Sequence, residues 1–446
     1  MQRRAPFRSG ALALGGSICF WLGLTARMAL AQPLSTEAPD DPAGMREAAP
    51  LGATISFDDA WQRVQTGNPD LQAFDDLDSA WSHRARQASS YPNPSLAVSA
   101  EDIGARDELL GQTQWTLSLS QPIPLGSRLE AGRRVEEQSR TAWRNDSVLV
   151  GRGLKARLKS LFVRVFAGQN RLRILQASTL RFREVRQVTQ VRVDAGALPA
   201  VRVQRVEQVL TMEQEAVAGL ERDIAMSVAE LPALWGGKPG EVVAVGGQLA
   251  EPVPLPDVGP GLAGLEDAPE MKGCAARVGT WSAEADLREQ EAIPDLGVGA
   301  GYRGLDGFDS HALVLELSIP LPVFNSNRGA IDEARAKERA EEFSCRGILS
   351  RMQAQATALH AQASALQVQF RRTRDVLIPQ AAAAYTAALE ALTRGEVDIN
   401  DMLGLAEHMV GLEMMAASIE EQYWLAVAQY ETLTGAELLS FDEVTP

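Results

Sequence analysis

Ser120–Arg128 reads SQPIPLGSR, and it joins two different kinds of sequence. Before it, Gln112–Gln121 alternates, with Trp115, Leu117 and Leu119 on one side and Thr116, Ser118 and Ser120 on the other. After it comes a run without proline, long enough for one helix from Gly126 to about Val191. A strand stops at a Pro-x-Pro and becomes a rod. Ser318–Arg328, SIPLPVFNSNR, repeats the event 198 residues later. Proline lacks the N–H that a sheet ladder needs and holds φ near the value a starting helix needs. Pro122, Pro124, Pro320 and Pro322 are therefore expected to mark a strand-to-helix junction in each half of the chain.

The rest of the chain repeats at nearly the same offset. Pro69-Asp70-Leu71 answers to Pro269-Glu270-Met271, and Asn93–Val98 to Ile293–Val298. Asp194-Ala195-Gly196 answers to Arg394-Gly395, and Ala233–Gly236 to Thr432–Gly435. This is a tandem duplication of about 200 residues. Repeat 1 occupies 56–236 and repeat 2 occupies 269–440, with a Gly- and Pro-rich linker at 237–268 and a tail at 441–446. Each repeat has one plan. A first helix opens on the Ser56/Asp59 capping box and breaks at Asn68-Pro69. Two strands follow, then a long helix, a glycine turn at Gly196 and a return helix from Val201 to Leu231. The second repeat gives helix 270–291, two strands, helix 325–393, a turn at Gly395 and helix 401–432. At 1.5 Å per residue such rods span roughly 100 Å, and helices of that length usually pair as coiled coils.

The first 31 residues read as a secretory signal. Arg3, Arg4 and Arg8 precede the apolar stretch Ala11–Thr25 and an Ala29-Leu30-Ala31 cleavage site. Residues 32–55 read as a flexible leader. Removing the signal leaves 39 basic and 58 acidic residues, a net charge of −19, which argues against nucleic acid as a partner. Cys274 and Cys345 remain in an oxidising compartment, either paired or as two free helical thiols. Beyond the signal, no apolar stretch is long enough for a transmembrane helix.

The strands decide the solvent. Leu96, Val98 and Ala100 oppose Ser95, Ala97, Ser99 and Glu101. Leu296, Val298, Ala300 and Tyr302 oppose Asp295, Gly297, Gly299, Gly301 and Arg303. Leu313, Leu315, Leu317 and Ile319 oppose Val314, Glu316 and Ser318. Alternation over roughly 9–11 residues suits strands that cross an outer membrane, and it also suits two half-buried hairpins of a soluble α+β protein. Four strands fall short of the roughly eight a membrane barrel needs, so spanning strands require several chains to share one barrel.

These features together resemble the TolC family of outer-membrane efflux proteins. The carriers are Asn68-Pro69-x-Leu71, the strand ends Gln121–Gly126 and Ile319–Phe324, and the turn Gly395-Glu396-Val397-Asp398-Ile399-Asn400-Asp401-Met402-Leu403. Tyr91–Leu96, Ile293–Arg303 and Asn325–Gly329 are most similar to the CzcC branch, the outer-membrane components of cobalt–zinc–cadmium efflux systems. The resemblance implies an α+β membrane protein: a homotrimer with a shared 12-stranded transmembrane β-barrel, four strands per chain, above a long α-helical periplasmic tunnel. It implies docking on a periplasmic adaptor, or membrane fusion protein, and on an inner-membrane resistance–nodulation–division (RND) transporter. A duct for drugs, solvents or type I secretion is the alternative within the family, and a soluble periplasmic coiled-coil adaptor the alternative outside it.

The resemblance also assigns roles. Asp401 matches the family's tip aspartate and Asp398 takes a position usually held by Ser, so threefold symmetry would make rings of carboxylates at a tunnel constriction. The family's second aspartate falls on Gly404, and the other tip carries Pro199 and Arg202 in place of Ser and Asp. Arg192, Gly196, Arg202, Arg394 and Gly395 form the tips expected to dock the adaptor. Residues 126–205 hold 18 basic and 6 acidic side chains, against 10 and 10 in 325–404. That basic rod is expected to meet an acidic partner, or to be salt-bridged to a neighbouring helix. Glu101 and Glu316 are the lumen-facing acids of the barrel strands. The chain carries no catalytic motif, the four histidines are scattered, and the group Met402, Met409, Met414 and Met415 has core-like helical spacing. No cofactor and no metal site are expected, and no enzyme.

Overall fold

The computed structural model describes residues 53–101, 103, 114–305 and 310–442. The expected signal at 1–31 and nearly all of the leader lie outside the described residues. The first repeat opens with β1 (Ala53–Ile55), α1 (Phe57–Gly67) and α2 (Pro69–Ala88). Ser56 caps α1 through Asp59, as the capping box requires. Asn68 caps α2 by accepting from the Asp70 and Leu71 amides at 2.9 and 3.1 Å. Its amide also donates to the Leu234 carbonyl at 2.8 Å, so the break is tied across the repeat. Then come β2 (Ser95–Glu101), β3 (Gln114–Pro124), α3 (Arg128–Asp194) and α4 (Val201–Glu230).

The linker is not a loose tether. It carries β4 (Val242–Val245), β5 (Gln248–Leu249) and α5 (Val258–Ala263). β4 pairs in parallel with β1, so the last residues of the expected flexible leader are a strand. Tyr423 Oη donates to the Val253 carbonyl at 2.6 Å and Trp424 Nε1 to that of Ala250 at 2.9 Å, strapping the linker across the final helix. The second repeat gives α6 (Pro269–Glu291), β6 (Asp295–Leu305), β7 (Ser310–Ser318), α7 (Arg328–Arg372), α8 (Ile378–Arg394) and α9 (Ile399–Thr434). β8 (Phe441–Asp442), at the start of the expected tail, pairs with β5.

The helix expected from 325 to 393 is interrupted once. A five-residue π-helical step, Thr373–Leu377, separates α7 from α8. Pro379 stands at the start of α8, has no N–H to give the preceding turn, and the wider π turn absorbs that loss. The two prolines of each junction also sit outside the helices they precede. α3 begins after Ser127 and α7 after Asn327, so proline does not supply the first helical turn in either copy.

The repeats are not two domains side by side. β2, β3, β6 and β7 form one antiparallel sheet in that order, with β3–β6 joining the copies. α3 packs on α4 within its copy and on α6 and α9 of the other. One core gathers Val64, Leu158, Phe162, Leu231 and Trp235. A second, toward the helical turns, gathers Phe182, Val185, Val206, Leu392, Met402 and Ala406. Cys274 and Cys345 are joined as a disulfide between α6 and α7.

Candidate functional site

The sheet carries two faces, each continuous across all four strands. Leu96, Leu119, Ala300 and Leu315 lie abreast, as do Val98, Leu117, Tyr302 and Leu313. This apolar face is bare: Val98 is 74 % exposed and Leu315 78 %. At its end far from the junction prolines, Tyr302 stacks on His311 at 5.3 Å and meets the tilted ring of Trp115 at 5.6 Å. An aromatic cluster at the end of an apolar band is the arrangement of a strand at a membrane interface.

The opposite face is polar. Ser95, Ser120, Gly299 and Glu316 lie abreast, and two rows further on so do Ser99, Thr116, Arg303 and Ala312. Arg303 donates Nε to Thr116 Oγ1 at 3.0 Å. Glu101 sits one row beyond, opposite Gln114. Both expected acids, Glu101 and Glu316, are exposed on this polar face. β2 and β7 end the sheet, each paired on one side only.

The junctions differ between copies. β3 runs on through Pro122 and Pro124, which face Gly297 and Asp295 of β6. β2 has ended by then, so the prolines lie where β3 has only one neighbour. The expected end of the ladder thus comes four residues past Ser120. In the second copy β7 stops at Ser318, and Pro320 and Pro322 follow it. Both junctions fasten to the end of α6. Gln290 Oε1 accepts from the Ser127 amide at 3.0 Å, and Arg128 pairs with Asp295 at 2.8 Å. Asn327, at φ +59°, donates Nδ2 to the Arg288 carbonyl at 2.7 Å. Gln290 and Asp295 were not foreseen, because only the fold brings them under the prolines. Asn327 was within reach, since Asn tolerates the left-handed region better than most residues.

At the other end the two tips are clasped. Arg192 of the first tip donates Nη1 to the Leu392 carbonyl of the second at 3.0 Å, relieving the end of α8. Arg202 pairs with Asp398 at 3.1 Å. Asp398 also caps α9, accepting from the Asn400 amide at 2.8 Å. Asp401 is exposed in the first turn of α9, and Arg394 pairs with Glu396 at 3.0 Å. Gly196 and Gly395 both turn at positive φ, +70° and +85°. A Cβ on Gly395 would meet Arg192 Nη2 at 2.9 Å, whereas one on Gly196 would meet nothing.

Part of the basic rod finds acidic partners within the chain. Lys159 of α3 pairs with Glu431 of α9 at 2.5 Å, both buried. Arg181 donates to Glu413 at 3.0 Å, and Arg171 pairs with Glu421. Arg140 and Arg144 both hold Asp78 of α2, at 2.8 and 2.7 Å, and Arg140 first and Arg144 second hold its carboxyl well below the usual range. Burial pushes the Glu420 carboxyl up, opposed by the Asn170 amide. Of the four methionines, Met402 is in the core, Met409 and Met414 pack against it, and Met415 is exposed.

Residues 60–237 match the family model described as outer membrane efflux protein. The nickel-cobalt-cadmium resistance protein NccC of Alcaligenes xylosoxydans xylosoxydans is 24 % identical over 255 residues, 56 % of this chain and 57 % of its own length. This chain therefore spans less than two thirds of that relative. The cobalt-zinc-cadmium resistance protein CzcC of Cupriavidus metallidurans is 24 % identical over 362 residues, 78 % of this chain and 82 % of its own. Among solved structures, CusC superposes with a TM-score of 0.71 at 13 % identity, covering 86 % of this chain and 94 % of that one. A sheet bare on its apolar face and continuous with long helices is the fold of TolC-like proteins. The match to outer membrane efflux proteins lies in residues 60–237, and with these likenesses it makes the chain an outer-membrane protein that extends into the periplasm.

Proposed function

We propose that three copies of this chain close a 12-stranded barrel and a helical tunnel, forming the passive exit duct of a tripartite RND-type efflux system for divalent heavy-metal cations. One observation carries the reading: a four-stranded sheet with one bare apolar face and two half-paired edges. In lipid an open edge leaves backbone groups unpaired, and closure with neighbouring copies pairs them. A soluble adaptor would have to cover that face with protein. The polar face then lines the lumen, where Glu101 and Glu316 favour cations. The likeness to metal-resistance proteins supports metal cargo over drugs. The duct does no chemistry of its own; the family normally works with a periplasmic adaptor and an inner-membrane transporter, and these are its expected partners here.

At the far end, the tips form the constriction and the docking surface. Asp398 is compensated by Arg202, so Asp401 is the stronger candidate for an exposed carboxylate ring. Deletion of the gene tests the whole reading. Lost growth on cobalt, zinc, cadmium or nickel salts with unchanged drug tolerance supports it. Normal metal tolerance with drug sensitivity refutes the cargo and keeps the duct.

A further inference from the structure

We propose that Cys274, Cys345 and Glu341 form a binding site for a soft divalent cation on chains whose two thiols are still free. The disulfide and the metal complex are then alternative closures of the same helix pair.

Cys274 lies on α6 and is fully buried; Cys345 lies on α7 and is 8 % exposed. Glu341 precedes Cys345 by four residues, which puts both on one face of α7. One ligand atom from each of the three lies within 4.8 Å of the others. Among the described residues this is the one group of three His, Cys, Asp or Glu side chains that converges so closely. The Cα atoms of the cysteines are 5.8 Å apart. Two sulfurs each about 2.3 Å from a shared zinc-sized ion need only a modest side-chain rotation from there. The carboxylate is held in advance. Arg277 donates Nε to Glu341 Oε1 at 2.8 Å and is itself anchored on Asp146 at 3.2 Å. Ligating carboxylates are oriented by such outer hydrogen bonds. Two thiolates and one carboxylate select zinc or cadmium over magnesium or calcium.

The balance is simple. A newly made chain carries both thiols free. Binding one cation forms two metal–sulfur bonds and releases two protons. Oxidation by a protein disulfide joins the two sulfurs instead, reduces that partner to a dithiol, and removes the site. The site lies on helices away from the sheet and is independent of the duct reading.

The full chain in detergent supplies the test. A phosphine reduces the disulfide, taking the oxygen of one water to become the phosphine oxide while two thiols form. After its removal under anaerobic conditions, Cd2+ is titrated and the ultraviolet thiolate-to-metal band is followed. One Cd2+ per reduced chain is expected, and none on the oxidised chain. E341Q is expected to weaken binding at least about tenfold, and bound Cd2+ to protect both thiols from alkylation. Reduced wild-type chain that binds no more Cd2+ than oxidised chain overturns the site. Unchanged affinity in E341Q overturns the role of the carboxylate. Because the decisive comparison uses one wild-type chain in two redox states, misfolding of a variant does not blur it.

Discussion

In the first copy, 67 residues of helix run unbroken from the sheet to the tip. In the second, the same journey is made by α7 and α8 with a π-helical step between them. The first copy is basic along its rod and has no internal staple; the second is neutral along the matching stretch and carries the disulfide. The copies share a plan and divide the chemistry. α3 supplies cations, α9 supplies the acids that meet them, and at the tips arginines of the first copy cap and pair with the second. A duplicated hairpin thus became a complementary pair, in which each copy completes the other.

Removing what only the second copy has should cost the most. The Cys274–Cys345 link closes a separation of 71 residues, so the double C274A/C345A chain is expected to lose about 4 kcal/mol in a denaturant titration. A loss well under 1 kcal/mol would mean that α6 and α7 are held by packing alone. Next comes the contact between copies. Lys159→Met leaves Glu431 buried without its cation and should cost about 3 kcal/mol, while the double K159M/E431Q chain, which keeps an oxygen for the Leu438 and Leu439 amides, should recover much of that. No recovery in the double variant would show that the pair is not what couples α3 to α9.

The tips give a finer contrast. Gly395→Ala must place a Cβ against Arg192 at positive φ, and Gly196→Ala meets only the φ penalty. The first should cost about 2 kcal/mol and the second about 1. Equal losses would break the argument that Arg192 clamps the second tip. Arg202→Ala should cost under about 1 kcal/mol, because the pair is partly exposed, yet it should raise single-channel conductance if the clasp narrows the duct.

The smallest effect is set by pH. Burial raises the folded-state pKa of Glu420, so its ionised form opposes folding above that value and both states are protonated well below the ordinary value of 4.5. Glu420→Gln should therefore gain stability at neutral pH and lose that gain as pH falls from the raised folded-state value toward 4.5. A gain that persists in acid would point to the Asn170 contact instead.

Much of this was legible because it rests on local physics. Alternation along Trp115–Ser120 and Leu313–Ser318 gave the faces, and Gly196 and Gly395 gave the turns, since positive φ nearly demands glycine. The offset of about 200 residues gave the plan. What stayed hidden depends on which elements meet. Nothing local says that Lys159 faces Glu431, that Gln290 holds the Ser127 amide, or that β3 pairs with β6. The linker misled for the opposite reason. Its Gly and Pro content reads as flexible, but Val242–Val245 finds β1 and Trp424 fixes the next turn. Pro379 was the one visible warning that α7 could not run straight to the tip.

The pairing of β3 with β6 has a consequence for timing. Arg303 reaches a Thr116 that left the ribosome 187 residues earlier, so the sheet's central seam cannot form until α3, α4 and α6 between them are made. Closing so long a loop is slow next to helix formation. The first hairpin, α3 with α4, can therefore fold before β3 and β6 meet, and the seam of the surface that seeks lipid forms after it. A chain built in this order keeps the two halves of its stickiest face apart until the helices between them exist.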